Sequence, residues 1–183
     1  MPPQHSKIKQ MALVSLMTAV ICVLAPFSLT LPTSPVPISM GNMVVCFVVI
    51  VLGMKHGLLS VFLYLFLGLI GLPVFSNFTG GIGKLLGPTG GYLIGYLLLA
   101  LLLGLFMERY NNRILTNVFG AVMGMLLLYF GGTVWLVFQM QLDFMSALWV
   151  GVIPYIPMDC IKIALSLIIG SHLRKRLSRA GLI

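Results

Sequence analysis

Asp159 and Lys162 stand three residues apart in IPMDCIKIAL (residues 156–165), a stretch whose other side chains are apolar or small. The chain has only three acidic residues, Glu108, Asp143 and Asp159, so an acid in this setting needs a reason. On a helix, positions i and i+3 share a face, and a carboxylate and an ammonium so placed can reach each other. Alone, either charge costs roughly 2.5–3.5 kcal/mol at the centre of a membrane helix. As neighbours they reduce that cost, and a carboxylate near a helix N-terminus also gains from the macrodipole. Two readings follow. One is a structural ion pair facing the interior of a bundle. The other is a binding site, because ionisable residues inside membranes mark functional sites by default. A pair offering donors and acceptors suits a small polar or zwitterion-like ligand, or one carrying an amide and a carboxylate. It is not by itself a general acid–base device.

No catalytic constellation accompanies the pair. There is no second acid within the membrane for a proton dyad, no HExxH, no Ser–His pair at a recognisable spacing and no cluster of metal ligands. His5 and His172 lie at the chain ends and His56 in a turn. Cys22, Cys46 and Cys160 sit in apolar runs without CxxC or CxxH spacing, which predicts buried free thiols rather than disulfides or zinc. The segment Gly83-Lys84-Leu85 lacks the Ser or Thr and the earlier glycine of a phosphate-binding loop. The expectation is therefore no enzyme, no metal and no cofactor. With only Asp159 and Lys162 inside, an ion-coupled carrier is thinly equipped, and an uptake protein of this size needs energy from elsewhere.

The elements that must position the pair are membrane helices. Of 183 residues, 60% are hydrophobic and 8% charged, against about 25% charged in a soluble domain. Apolar segments fall at 10–31, 42–54, 57–71, 92–107, 114–138 and 146–171, predicting an all-α, six-span bundle in one domain covering 1–183. Lys7 and Lys9 followed by an apolar run resemble a secretory leader, but the run continues to about Leu31, long enough for a first membrane helix. The second and third segments are short, and GMKHG at 53–57 predicts a turn joining them as a helical hairpin. Pro154 and Pro157 place the start of the main last helix near Pro157, running to Arg174.

The charge balance of +8 does not point to nucleic acid, because the basic residues sit at chain ends and turns. With both termini cytoplasmic, nine of the eleven Lys and Arg (7, 9, 55, 109, 113, 174, 175, 176 and 179) fall inside. Lys84 falls outside and Lys162 within the membrane. Residues 1–9 then form a cytoplasmic N-terminal segment and 172–183 a basic cytoplasmic tail. Seven of the twenty glycines fall in the outer loop 71–91, whose apolar content predicts an ordered lid rather than a slack connector.

Three segments, SPVPISMGNM (34–43), GLPVFSNFTGGIGKLLGPTGGYLIGY (71–96) and IPMDCIKIAL (156–165), resemble the BioY family. These are the biotin-specific substrate-binding S components of energy-coupling factor (ECF) transporters. The likeness covers nearly the whole chain in motif order, length and six-span layout, and LGPTGGY together with P-x-D-x-x-K is its most specific part. The resemblance implies a six-helix bundle with ordered external loops in a bacterial cytoplasmic membrane, capturing biotin as transported ligand. It implies a transmembrane coupling subunit and two ABC-type ATPases as partners, although solitary members have also been proposed to act alone. Carried over by position, it implies contacts with biotin from Asp159 and Lys162, and from Asn77, Thr79, Gly80, Tyr92 and Asn42. Some members have asparagine where Thr79 stands, arginine where Leu93 stands and an amide where Gly41 stands. Lys84 is a conceivable replacement for that arginine, or else a solvated loop lysine. The resemblance also implies that a coupling subunit packs on small residues of the first helix, here Ser15 and Ala19. The alternative to this reading is a small ion-coupled carrier or channel for another polar solute.

Overall fold

The computed structural model describes residues 3–30, 34–110 and 113–182. Helix α1 (Pro3–Leu24) leads into a two-stranded antiparallel ribbon, β1 (Ser28–Leu29) and β2 (Ile38–Ser39), in which Ser28 faces Ser39. Then come α2 (Gly41–Leu52), α3 (Met54–Leu69), the short α4 (Ile82–Leu86), α5 (Gly90–Arg109), α6 (Ile114–Met140), α7 (Phe144–Gly151) and α8 (Ile156–Arg179). Among the described residues, four regions are long and apolar enough to cross a membrane, at 7–24, 90–109, 114–140 and within 144–179. The apolar α2 and α3 have only 12 and 16 residues and complete a six-helix membrane bundle.

Short as it is, α2 is the axis of the bundle. Val44, Val45, Cys46, Val48, Val49, Ile50 and Val51 are all at most 1% exposed. Its continuous valine run therefore records burial on every side rather than helix propensity. Helices α1, α3, α5 and α8 all pack against it. By contrast, α6 packs mainly on α5, through close approaches at Gly95 against Leu128, Gly120 against Phe106 and Gly124 against Leu99. Glycines 120 and 124 thus serve internal packing.

Three expected boundaries move. The first span ends at Leu24 rather than near 31, because Pro26 disfavours helical backbone at Ala25 and supplies no N–H. The hairpin corner is not the whole of 53–57. Gly53 alone turns the chain, at φ 83, and Met54–Gly57 already form the first turn of α3. The last apolar segment, 146–171, is two helices, α7 and α8, joined by a single 3₁₀ turn at 153–155. Pro154 and Pro157 cannot donate to carbonyls upstream and sit in the first turns of the elements they begin. Helix α8 then continues through the basic tail to Arg179. A fourth difference concerns the thiols: Cys46 is buried and Cys22 half-buried, but Cys160 is exposed.

Segments 25–30 and 34–40, 70–89 and 141–155 gather at one end and tie to one another. Asn77 N–H donates to the Pro26 carbonyl at 2.9 Å and Gly81 N–H to the Gly68 carbonyl at 2.7 Å. Trp135 Nε1 of α6 donates to the Gly87 carbonyl at 2.9 Å, and Ser34 Oγ donates to the Val150 carbonyl at 2.9 Å. The glycine-rich loop is therefore ordered, with Phe75 fully buried edge-on to Tyr64 at 5.6 Å. Of the other two acids, Asp143 caps α7 by accepting from Met145 N–H at 3.1 Å. Glu108 lies in the field of Arg174, whose guanidinium donates to the Ile50 and Val51 carbonyls at the end of α2.

Candidate functional site

Asp159 lies in the first turn of α8 and Lys162 one turn later, both buried. Lys162 Nζ donates to Asp159 Oδ1 at 3.0 Å and to the Ser39 carbonyl of β2 at 2.6 Å. The other carboxylate oxygen, Oδ2, accepts from the Tyr129 hydroxyl of α6 at 2.6 Å. Below the pair, Ser166 Oγ bridges to the Met43 carbonyl at 2.8 Å and fixes α8 on α2. An ammonium has three N–H donors and a carboxylate about four acceptor positions. One Lys162 donor and acceptor capacity on Asp159 are thus uncommitted, side by side.

They face a half-open chamber of about 60 Å³ under the loops. Ser39 of β2 and Asn42 of α2 line it, with Thr89 just before α5, Tyr92, Leu93 and Tyr96 of α5, and Tyr129 of α6. Ser76 and Tyr155 close it from the loops. Thr89 Oγ1 is buried without a hydrogen-bond partner on this wall. The Tyr155 hydroxyl donates to Ser34 Oγ at 2.7 Å and also reaches the Val36 carbonyl, so the mouth is braced from two sides. The Tyr92 hydroxyl braces the wall by donating to the Gly151 carbonyl at 3.1 Å.

Of the residues singled out in the sequence, Asp159, Lys162, Tyr92 and Asn42 line this chamber, whereas Asn77, Thr79 and Gly80 do not. Those three shape the loop that presents Ser76. Thr79 Oγ1 donates to the Ser76 carbonyl at 2.8 Å. Asn77, at φ 62, accepts Ser28 Oγ at 2.8 Å through its own Oδ1. A side chain at Gly80 would run into the Leu72 carbonyl. Lys84 is off the chamber on α4, half-buried, and burial pushes its ammonium below the usual lysine range. Leu93 itself is a buried wall residue, so among the described residues Lys162 is the one cation on the lining. A side chain at Gly41 would meet the Tyr96 ring, so glycine here goes with that tyrosine. Ser15 and Ala19 are exposed on one face of α1.

Sequence reading missed Ser39, Ser76, Thr89, Tyr96, Tyr129 and Tyr155. Tyr96 alone carried a usable signal, since it lies four residues from Tyr92 and so shares its helix face.

Known proteins match both the sequence and the fold. The profile of the BioY family matches residues 1–179. The biotin transporter BioY2 of Lactococcus lactis subsp. cremoris is 35% identical over 178 residues, covering 97% of both chains. The probable biotin transporter BioY of Pyrococcus horikoshii is 38% identical over 168 residues, covering 92% of this chain and 98% of that one. A crystal structure of the S-component for biotin from an ECF-type ABC transporter superposes with a TM-score of 0.87 at 33% identity, covering 96% of this chain and 95% of the other. With residues 1–179 matched by the family profile and 96% of the chain matched in fold, the chain belongs to the BioY family.

Proposed function

We propose that this chain captures biotin within the membrane, as the substrate-binding S component of an ECF-type transporter whose ATPase subunits supply the energy. The observation that carries the reading is the buried Asp159–Lys162 pair, with spare donor and acceptor capacity facing the chamber. A cyclic urea offers N–H donors and a carbonyl acceptor side by side, which complements an ammonium N–H next to a carboxylate. A ligand carboxylate placed there would face Asp159. The ureido ring is therefore assigned to the pair, and the acid end to the hydroxyls of Ser76 and Thr89 near the loops. Tyr92 and Asn42 complete the walls, and Asn77, Thr79 and Gly80 act by holding the lid.

The charge pattern supports cytoplasmic termini, with the loop end and its chamber facing outside. The exposed Ser15 and Ala19 on α1 give a coupling subunit a surface where a helix can approach closely. Equilibrium binding of labelled biotin to the purified chain, competed by unlabelled biotin, tests the reading. Saturable one-to-one binding is expected, and a folded preparation that binds none would refute it.

A further inference from the structure

Tyr129 and Asp159 form a wall common to two cavities. On one side is the chamber of about 60 Å³. On the other is a bilayer-facing cleft of about 550 Å³ between α6, α7 and α8, otherwise lined by apolar side chains such as Leu126 and Leu148 and by Cys160. The cleft exists because α6 packs on α5 and α8 on α2, while α6 and α8 touch each other only sparingly.

Pockets that hold small organic molecules begin at about 300 Å³, so a ligand seated wholly inside the chamber of about 60 Å³ needs a wall to move. The α5 wall is backed by α6, with Gly91 pressed against Trp135 and Gly95 against Leu128. The α2–α8 wall is held by the Ser166 bridge and by Gly170 packed on Ile50. Close-packed walls of this kind do not yield without displacing what lies behind them. Behind the Tyr129 ring there is open space. Two χ1 wells are accessible to an aromatic side chain on a helix, and one hydrogen bond, to Asp159 Oδ2, holds this ring in place.

We propose that Tyr129 is the movable partition of the site. Its hydroxyl is latched to Asp159, and a ligand that engages the same carboxylate releases the ring toward the α6–α8 cleft, which supplies the missing volume. This makes Tyr129 a positioning residue for ligand capture, and it rests on the chamber being the biotin site.

Cys160 is a native reporter, exposed on the cleft side of the partition. In a Cys22→Ser background, with Cys46 wholly buried, the rate of Cys160 modification by N-ethylmaleimide is measured with and without saturating biotin. Biotin is expected to slow modification severalfold, because the displaced ring fills the cleft, and to have no such effect in Tyr129→Ala. Leu148→Trp, which fills the cleft without touching the chamber, is expected to slow biotin association severalfold while the protein stays folded. Saturable biotin binding with an unchanged Cys160 rate and normal association in Leu148→Trp would overturn the partition alone. Absence of biotin binding by the folded protein would overturn the biotin reading and the partition together.

Discussion

The two readings of Asp159 and Lys162, structural pair or ligand site, separate in a double substitution. Lys162→Met keeps the length of the side chain but leaves Asp159 with Tyr129 as its sole partner and the Ser39 carbonyl without its donor. Breaking a buried pair from one side costs about 3–5 kcal/mol, because the remaining charge is stranded. The single variant should therefore unfold at clearly lower temperature. Adding Asp159→Asn removes the stranded charge while keeping an acceptor for Tyr129. Replacing both charges of a buried pair is often neutral for stability, so the double variant should recover most of the loss. Binding should not recover. Hydrogen bonds to charged groups contribute about 1.5–3 kcal/mol each. Losing one from Lys162 and weakening one to Asp159, about 2.5–4.5 kcal/mol together, should then raise the Kd for biotin by roughly 60-fold to 2,000-fold. Thermal unfolding in detergent and equilibrium binding are measured on the same samples. A stable double variant that binds biotin with unchanged affinity would make the pair structural and sink its assignment to the ureido ring.

Thr89→Val removes a buried hydroxyl that has no partner in the protein. Thermal stability should hold or rise, while biotin affinity falls by about 0.5–1.5 kcal/mol if the hydroxyl meets the ligand; unchanged affinity would take Thr89 out of the site. Gly68→Ala would drive a methyl group into the buried Phe75 ring, an overpacking that costs about 1–3 kcal/mol. The loop should loosen, and biotin should dissociate faster; an unaltered dissociation rate would refute the lid role. Ala19→Leu adds bulk to an exposed face of α1 away from the chamber. Biotin binding by the isolated chain should be unchanged while uptake with the coupling subunit and ATPases drops; normal uptake would move the docking face elsewhere.

The polar pair was legible in the sequence because a charge in an apolar run has few explanations. Tyr129 and Tyr155 were not. An apolar helix accepts a tyrosine wherever its hydroxyl finds a partner, and nothing local distinguishes Tyr129, latched to Asp159 thirty residues away, from a tyrosine at a helix end such as Tyr110. Thr79 and Gly80 were carried over by position from the family resemblance, but a matched loop motif reports how a loop is shaped, not which side chain it turns inward. Here Ser76 turns inward while Asn77, next to it, is spent on Ser28. The split between α7 and α8 was half visible. Two prolines marked a discontinuity, but whether they kink one helix or separate two depends on what satisfies the freed carbonyls.

The shortness of α2, which in the sequence looks like a defect in a membrane span, explains where the site lies. Twelve residues rise about 18 Å, against a hydrocarbon core of about 30 Å. At the loop end this leaves a depth of bilayer that no part of α2 fills, at the centre of a ring made by its neighbours. Irregular backbone is tolerated at that depth only when it is buried in protein or lines a cavity. The β2 strand before α2 meets this condition, because its Ser39 carbonyl is taken by Lys162. The loop carrying Ser76 meets it through its bonds to Pro26 and Gly68. The ion pair on α8 thus satisfies the backbone that the short helix leaves exposed and, with a donor and acceptor positions to spare, presents the remainder to the chamber. A longer α2 would fill that space, and there would be neither a chamber nor a reason to keep two charges in it.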